Sequence, residues 1–338
     1  MVRRDSWPEG PPPPILLGMD RLRNEGWSVP LGAAPSLSWA AILDGATRIW
    51  TRRARARTIA LCLISGLAMA IDALLVEPDW VEISRSIEYV PALPSSAPDL
   101  TVVHLSDPHV VRMGRRERDA IAMIDGVRPD LLLVSGDLTR RGASRPDVEA
   151  FYGALRARYG VFAVWGNHDY WDGVATRWGP DALARSGVRL LKNASVRIAT
   201  VAGPIVIAGI DDPVTGHDAL KQAMRGVPRR DVCVLLSHSP EVVPSLGNWD
   251  IDIVLAGHTH GGQVRLPGLG ALYVPPGTRD YVEGWFDVKG GARLHVSRGL
   301  GWSWAPVRFF CRPRIDVITL RGGLPPGTRD PRSIVGRS

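Results

Sequence analysis

The strongest constraint in this 338-residue sequence is a recurring unit: a short apolar run that ends on carboxylate, imidazole or amide side chains. Leu100 to Leu105 leads into Ser106-Asp107-Pro108-His109, Leu131 to Ser135 into Gly136-Asp137, and Val161 to Trp165 into Gly166-Asn167-His168-Asp169. Later, Val232 to Leu236 meets Ser237-His238-Ser239-Pro240, and Ile251 to Ala256 meets Gly257-His258-Thr259-His260-Gly261-Gly262-Gln263. These runs, with Ile205 to Ile210, have the length and β-branched content of buried strands. Arg116 to Val127, Pro146 to Arg158, Val174 to Ser186 and His217 to Met224 lie among them and read as helices. The alternation predicts an α/β core with a largely parallel sheet. Loops at the carboxyl ends of such strands share one crevice, so the five polar endings can meet there. From Val264 onward Gly and Pro break up shorter strands, which predicts a second, mixed or antiparallel sheet.

Each ending alone is unremarkable, since Gly-Asp is usually a turn and a strand-end His is usually a surface hydrogen-bonding group. Together, and holding five of the eight histidines, they read as a metal site. Carboxylate, imidazole and amide oxygen donors suit Mn, Fe, Zn or Mg. Cys62, Cys233 and Cys311 stand far apart with no C-x-x-C pair, which excludes thiolate zinc fingers and thioredoxin chemistry. A Cys233–Cys311 bridge and two buried free thiols both remain open at this level. His104, His217 and His295 fall outside the pattern and read as structural.

The rest of the chain is organised around one apolar segment. Residues 1–57 form a Pro- and Arg-rich tail, with Pro11 to Pro14 in a row. Residues 58–76, TIALCLISGLAMAIDALLV, are long enough as a helix, roughly 28 Å, to span a hydrocarbon core of about 30 Å. Asp72 near its end is costly in lipid and leaves a buried or interfacial helix as the alternative. Arg48, Arg52, Arg53, Arg55 and Arg57 precede the segment, whereas Glu77, Asp79, Glu82 and Glu88 follow it with Arg85. By the positive-inside rule the tail is cytoplasmic and the remainder extracytoplasmic. Arg52-Arg53 also permits a twin-arginine export signal, but no small-x-small cleavage site follows, so an uncleaved single-pass anchor in the cell membrane is expected. The net charge of +7 reflects this arginine clustering, and no aromatic and basic pattern for nucleic acid interrupts the strand-end motifs. Residues 77–99 read as a linker, 100–320 as the catalytic domain, and 321–338 as a second loose tail.

The order of the motifs resembles the calcineurin-like metallophosphoesterases. The Ser-Asp-x-His opening, the Gly-His-Thr-His-Gly-Gly-Gln form and the closing VSRGLGWSWAPVRFFCRPRI are similar to the membrane-associated bacterial phosphodiesterase branch of that family. Pro108 and Glu241 stand where that branch commonly has Leu and Asp. The resemblance implies a sandwich of two mixed β-sheets flanked by helices and a pair of divalent ions, with Asp107, His109, Asp137 and His260 on one ion. Asp137, Asn167, His238 and His258 would hold the other, with Asp137 and a water or hydroxide between the two. It further implies that His168 stabilises the transition state or protonates the leaving oxygen and that Asp169 orients its ring, although a turn or helix-cap role for Asp169 stays open. The implied activity is hydrolysis of a phosphodiester or pyrophosphate bond by the bridging hydroxide, in a lipid-linked or nucleotide-linked substrate. A UDP-2,3-diacylglucosamine pyrophosphatase of lipid A synthesis and a non-catalytic metal-binding scaffold are the rival readings. Trp302 and Trp304, beside Arg298 and Arg308, would line a lipid-facing rim or simply pack.

Overall fold

A computed structural model describes residues 52–326 apart from Asn248, Arg279 and Lys289. The expected tails therefore lie mostly outside the described residues. The chain divides into two units, Met1–Leu61 and Cys62–Ser338, and the sheets and site below belong to the second.

Helix α1, Arg52–Ile71, continues through a wider turn at Asp72–Val76 and a tight turn at Glu77–Asp79. Ile59, Leu61, Leu63, Ile64, Leu67 and Leu75 are exposed, and only 6% of the apolar window within Ala54–Asp79 is buried. These side chains do not form one stripe, so packing against a protein core cannot satisfy them. Among the described residues this is the one helix long and apolar enough to cross a membrane.

Next come β1 (Glu82–Val90), β2 (Leu100–Leu105), α2 (Arg115–Val127), β3 (Leu131–Ser135), α3 (Arg145–Ala154) and β4 (Val161–Val164). They are followed by α4 (Asn167–Trp171), α5 (Gly179–Arg185), β5 (Val188–Leu190), β6 (Ala194–Thr200) and β7 (Gly203–Gly209). The remaining elements are α6 (Leu220–Ala223), β8 (Val232–Leu236), β9 (Ile253–Ala256), β10 (Arg265–Leu266), β11 (Gly270–Ala271), β12 (Gly284–Asp287), β13 (Arg293–Val296) and β14 (Arg314–Gly322).

Two six-stranded mixed sheets result, ordered β1-β14-β2-β3-β4-β5 and β12-β13-β9-β8-β7-β6. In the first, β2 to β5 run parallel and β14 opposes β2; in the second, β7, β8, β9 and β13 run parallel between antiparallel edges. The period-two alternation of each strand sorts its side chains to opposite faces. Leu131, Leu133, Phe162 and Ile318 of the first sheet meet Ile207, Val234, Leu236 and Leu255 of the second in the central core. The outer face of the first sheet, with Leu132 and Val134, is covered by Ile124 of α2 and Phe151 of α3. Leu235 and Val254 on the outer face of the second are covered by Leu220 and Met224. The sandwich therefore has helical layers on both sides, and the loops after β2, β3, β4, β8 and β9 carry the polar motifs.

Three boundaries differ from the sequence reading. Residues 82–90, taken as linker, form a nine-residue edge strand parallel to β14. The expected C-terminal tail begins later, because Arg321 and Gly322 still pair with Tyr89 and Val90. The second sheet does not begin at Val264: three of its four parallel strands come from residues 203–256, and the last strand of the chain returns to the first sheet. All of these depend on pairings between residues far apart in sequence, which local pattern does not encode.

Candidate metal centre

Backbone hydrogen bonds tie the loop after β2 to that after β3, and the loop after β8 to that after β9. Asp107 N–H donates to Gly136 O (3.1 Å), His109 N–H to Asp137 O (3.0 Å) and Gly257 N–H to His238 O (2.8 Å). To bring donors inward, Asp107, His109, Asp137, His258 and His260 all adopt left-handed backbone with φ between 46° and 68°. Non-glycine residues rarely take this conformation, and surrounding structure must impose it. Two glycines permit the close approach. A Cβ at Gly257 would overlap Ser106 Oγ and Asp107 Oδ2, and one at Gly166 would overlap Asp137 Oδ1.

Asp107, His109, Asp137 and His260 offer donor atoms all within 4.8 Å of one another, and Asp137, His238 and His258 do the same. Asp137 belongs to both groups. Its Oδ2 lies 3.3 Å from His109 Nε2 and 3.4 Å from His238 Nε2, while Oδ1 accepts from His168 N–H at 2.8 Å. His260 Nε2 lies 3.4 Å from Asp107 Oδ1 and 3.3 Å from His109 Nε2, and Asn167 Oδ1 lies 2.9 Å from His238 Nε2. All seven residues singled out from the sequence are thus brought together.

The chemistry of this donor set fits cations. His238 Nδ1 donates to Ser135 O at 2.9 Å, which leaves the Nε2 lone pair facing the centre. Burial drives His109 and His258 down to about 3 and His260 well below its ordinary value, so their imidazoles are neutral and able to ligate. Burial raises Asp107 to about 6, against the opposing pull of His238. For Asp137 burial also opposes ionisation, but His238 and His109 outweigh it and hold the carboxyl well below the usual range. His238 is pushed up in return: burial lowers it, and Asp137 more than reverses that.

His168 lies beside the centre, its ring 5.0 Å from that of His109 and edge-on to it. Asp169 does not orient it. Both Asp169 carboxylate oxygens are occupied: they accept from Leu138 N–H, Thr139 N–H, Thr139 Oγ1 and Gly166 N–H at 3.0–3.2 Å. Asp169 caps the short α4 and pins the Asp137 loop to it. The carboxylate that faces His168 Nδ1 is Asp172, at 3.8 Å and itself fixed by the Arg141 N–H at 2.7 Å. The sequence reading missed Asp172, although its i+4 spacing from His168 in a helical turn was a usable signal.

The three remaining histidines lie outside the two donor groups around Asp137. His104 and His295 form a buried pair, with Nδ1 atoms 3.1 Å apart, and His104 continues through Ser135 Oγ and Ser106 Oγ to Asp107. His217 stacks on Tyr170 at 4.1 Å. Cys62, Cys233 and Cys311 are all free thiols. The centre opens into a cavity of about 410 Å³ walled by His168, Trp171, Glu241, Tyr273, Pro276 and Trp304.

Comparison with known proteins agrees with this geometry. Residues 100–262 match the family described as calcineurin-like phosphoesterase. The chain is similar to the uncharacterized metallophosphoesterase YkuE of Bacillus subtilis (strain 168), 28% identical over 74% of this chain and 88% of that one. It is likewise similar to phosphodiesterase YaeI of Escherichia coli (strain K12), 29% identical over 72% of this chain and 90% of that one. A Bos taurus transmembrane protein with metallophosphoesterase domain is 32% identical over 68% of this chain and 54% of its own length.

Cation binding should strengthen as pH rises. Below about 6 a proton competes at Asp107, and the raised His238 must also lose its proton, whereas His109 and His258 are already neutral. Titration calorimetry of metal-free protein with Mn²⁺ at pH 5.5 and 7.5 should give an affinity higher by at least about tenfold at 7.5, since ligation displaces protons.

Proposed function

Because the chain belongs, through residues 100–262, to the calcineurin-like metallophosphoesterases and is a hydrolase of phosphoester bonds, we propose that it is a membrane-anchored binuclear phosphodiesterase. The observation that supports this most is the position of Asp137 in two converging donor groups. Asp107, His109, Asp137 and His260 would hold one divalent ion, and Asp137, Asn167, His238 and His258 the other. Two such ions would acidify water and neutralise the phosphoryl oxygens.

The residues of the chain do the rest. The cavity walls position the ester, and His168 stands at the edge of the donor groups where a leaving oxygen can reach it. Water oxygen bonds to phosphorus as one P–O bond breaks: an ester bond in a phosphodiester, giving a phosphomonoester and an alcohol, or the anhydride bond in a pyrophosphate, giving two phosphomonoesters. The leaving oxygen takes a proton from His168, and the proton released by water restores that imidazole. Asp172 faces the ring's other nitrogen at 3.8 Å. Ser106 Oγ, donating to Asp107 Oδ2 at 2.5 Å, fixes that carboxylate toward the centre. A phosphodiester or pyrophosphate in a lipid-linked or nucleotide-linked molecule is the favoured substrate.

The anchor reading is supported by the exposed apolar helix and by relatives named as transmembrane proteins. The arginines before it and the acidic residues after it favour a catalytic domain outside the cytoplasm.

Two outcomes follow. His168→Ala should keep two bound ions while kcat falls by roughly 10²–10⁴ on an alkyl or sugar phosphodiester and by less on bis-p-nitrophenyl phosphate, whose leaving group needs little protonation. Metal analysis with both assays checks this; unchanged turnover on the poor leaving group would remove His168 from the reaction. C-terminal fusions to alkaline phosphatase should be active and fusions to a cytoplasmic fluorescent reporter dark; the reverse would place the site inside, on the side of UDP-diacylglucosamine.

A further inference from the structure

The end of the anchor helix is joined directly to the walls of the catalytic cavity. Arg308 N–H donates to Ala73 O at 3.0 Å, and Glu77 accepts from the N–H groups of Phe310 (2.9 Å) and Cys311. Cys311 Sγ in turn contacts the carbonyl of His260 at 3.3 Å. A single residue therefore separates a proposed metal ligand from Glu77, at the point where the apolar helix ends. The same loop reaches the cavity from the other direction. Gln263 accepts from Ser303 N–H at 2.6 Å and donates to Val307 O at 3.1 Å, so Ser303 and Trp304 are tied beside the centre. Trp304 and Arg308 are four steps apart along the chain, which limits their Cα separation to about 14 Å.

Beside this loop lies the β10–β11 hairpin, joined to it by Arg265 N–H to Phe309 O and Phe309 N–H to Gln263 O, both at 2.9 Å. The hairpin and loop expose large apolar side chains: Leu269 at 77%, Leu272 at 58%, Tyr273 at 64%, Trp304 at 70% and Phe310 at 57%. Trp80, half exposed just after the anchor, carries the Arg312 guanidinium 3.6 Å from its ring centre. Aromatic and arginine side chains at the end of a spanning helix are the usual interfacial anchors. The headgroup layer on each side of a bilayer is only roughly 5–8 Å deep, so a loop bonded to Ala73 and Glu77 stands at or within it. Apolar side chains clustered there have the bilayer as their nearest apolar neighbour.

We propose that the 265–273 hairpin and the 302–310 loop form a membrane-contacting rim, through which a lipid-linked phosphoester reaches the catalytic cavity without leaving the bilayer. This rests on the phosphodiesterase reading for its chemistry but not for its geometry. It narrows the substrate from lipid-linked or nucleotide-linked to lipid-linked. Tyr273 and Trp304 belong to both the rim and the cavity wall, so an acyl chain can follow the rim while the phosphate enters the centre.

The test uses the full chain in phospholipid nanodiscs. In a Cys62→Ser background, which removes the exposed thiol and leaves the buried Cys233 and Cys311, Leu269→Cys and Leu272→Cys are labelled with an environment-sensitive fluorophore. Val201→Cys, on the exposed β6–β7 turn, serves as the control. Lipids brominated on their acyl chains should quench 269 and 272 by at least twofold and leave 201 unchanged; equal quenching at all three sites, or none at 269, overturns the rim whether or not the enzyme is active. In parallel, Leu269→Asp/Leu272→Asp should retain its rate on bis-p-nitrophenyl phosphate and lose roughly tenfold or more on a phospholipid diester embedded in vesicles. Equal losses or none on both substrates overturn the proposal. A wild-type protein that is quenched at the rim but hydrolyses neither substrate instead contradicts the phosphodiesterase reading.

Discussion

The Asp137 carboxylate is the interaction on which the rest of the site depends. It is fully enclosed, and within 3.4 Å it meets two histidine Nε2 atoms and the amide that opens α4. An ionised carboxylate in such a place is tolerated only with charge or hydrogen bonds on every side. The loops after β2, β3, β4, β8 and β9 each contribute one of those partners or a residue next to one. Moving any of these loops would strand a buried charge, so the cluster binds both sheets at one end of the sandwich.

That demand explains local features that look costly in isolation. Five donor positions of the cluster hold left-handed backbone, and Gly166 and Gly257 have no room for a side chain because Asp137 and Asp107 press against them. Asp169 is spent entirely on four donors from the Asp137 loop and α4, which converts a strand-end turn into a rigid seat. Arg308 plays the matching part at the end of the apolar helix. Its buried guanidinium bonds to the carbonyls of Arg298, Gly299, Gly301 and Cys311, folding the 298–311 segment against both the His260 loop and the end of the anchor.

Much of this was legible in the sequence because ligand chemistry is conspicuous: an apolar run that stops at Asp-x-His or Gly-His-x-His has few structural explanations. The parallel run of strands, the polar loops at their carboxyl ends and the apolar helix could be read from period and spacing, but the division of those strands between two sheets could not. What was hidden depends on distant partners. Strand β1 carries Ser84, Arg85 and Ser86 amid its apolar residues and is a strand only because β14 lies beside it. Asp169 adjoins His168 and Asp172 lies four residues on, and only the turn of α4 decides that Asp172 faces the ring. The bonds from Ala73 and Glu77 to residues more than 230 positions later, which bring the anchor against the cavity wall, leave no local trace.

The central claim is that one buried carboxylate is shared by two cations. Crystals grown with Mn²⁺ and measured at the manganese absorption edge test it most directly. The account predicts two anomalous peaks about 3.5–4 Å apart, the usual spacing of paired catalytic ions, with Asp137 touching both. A single peak, or two peaks with Asp137 bound to neither, would contradict it.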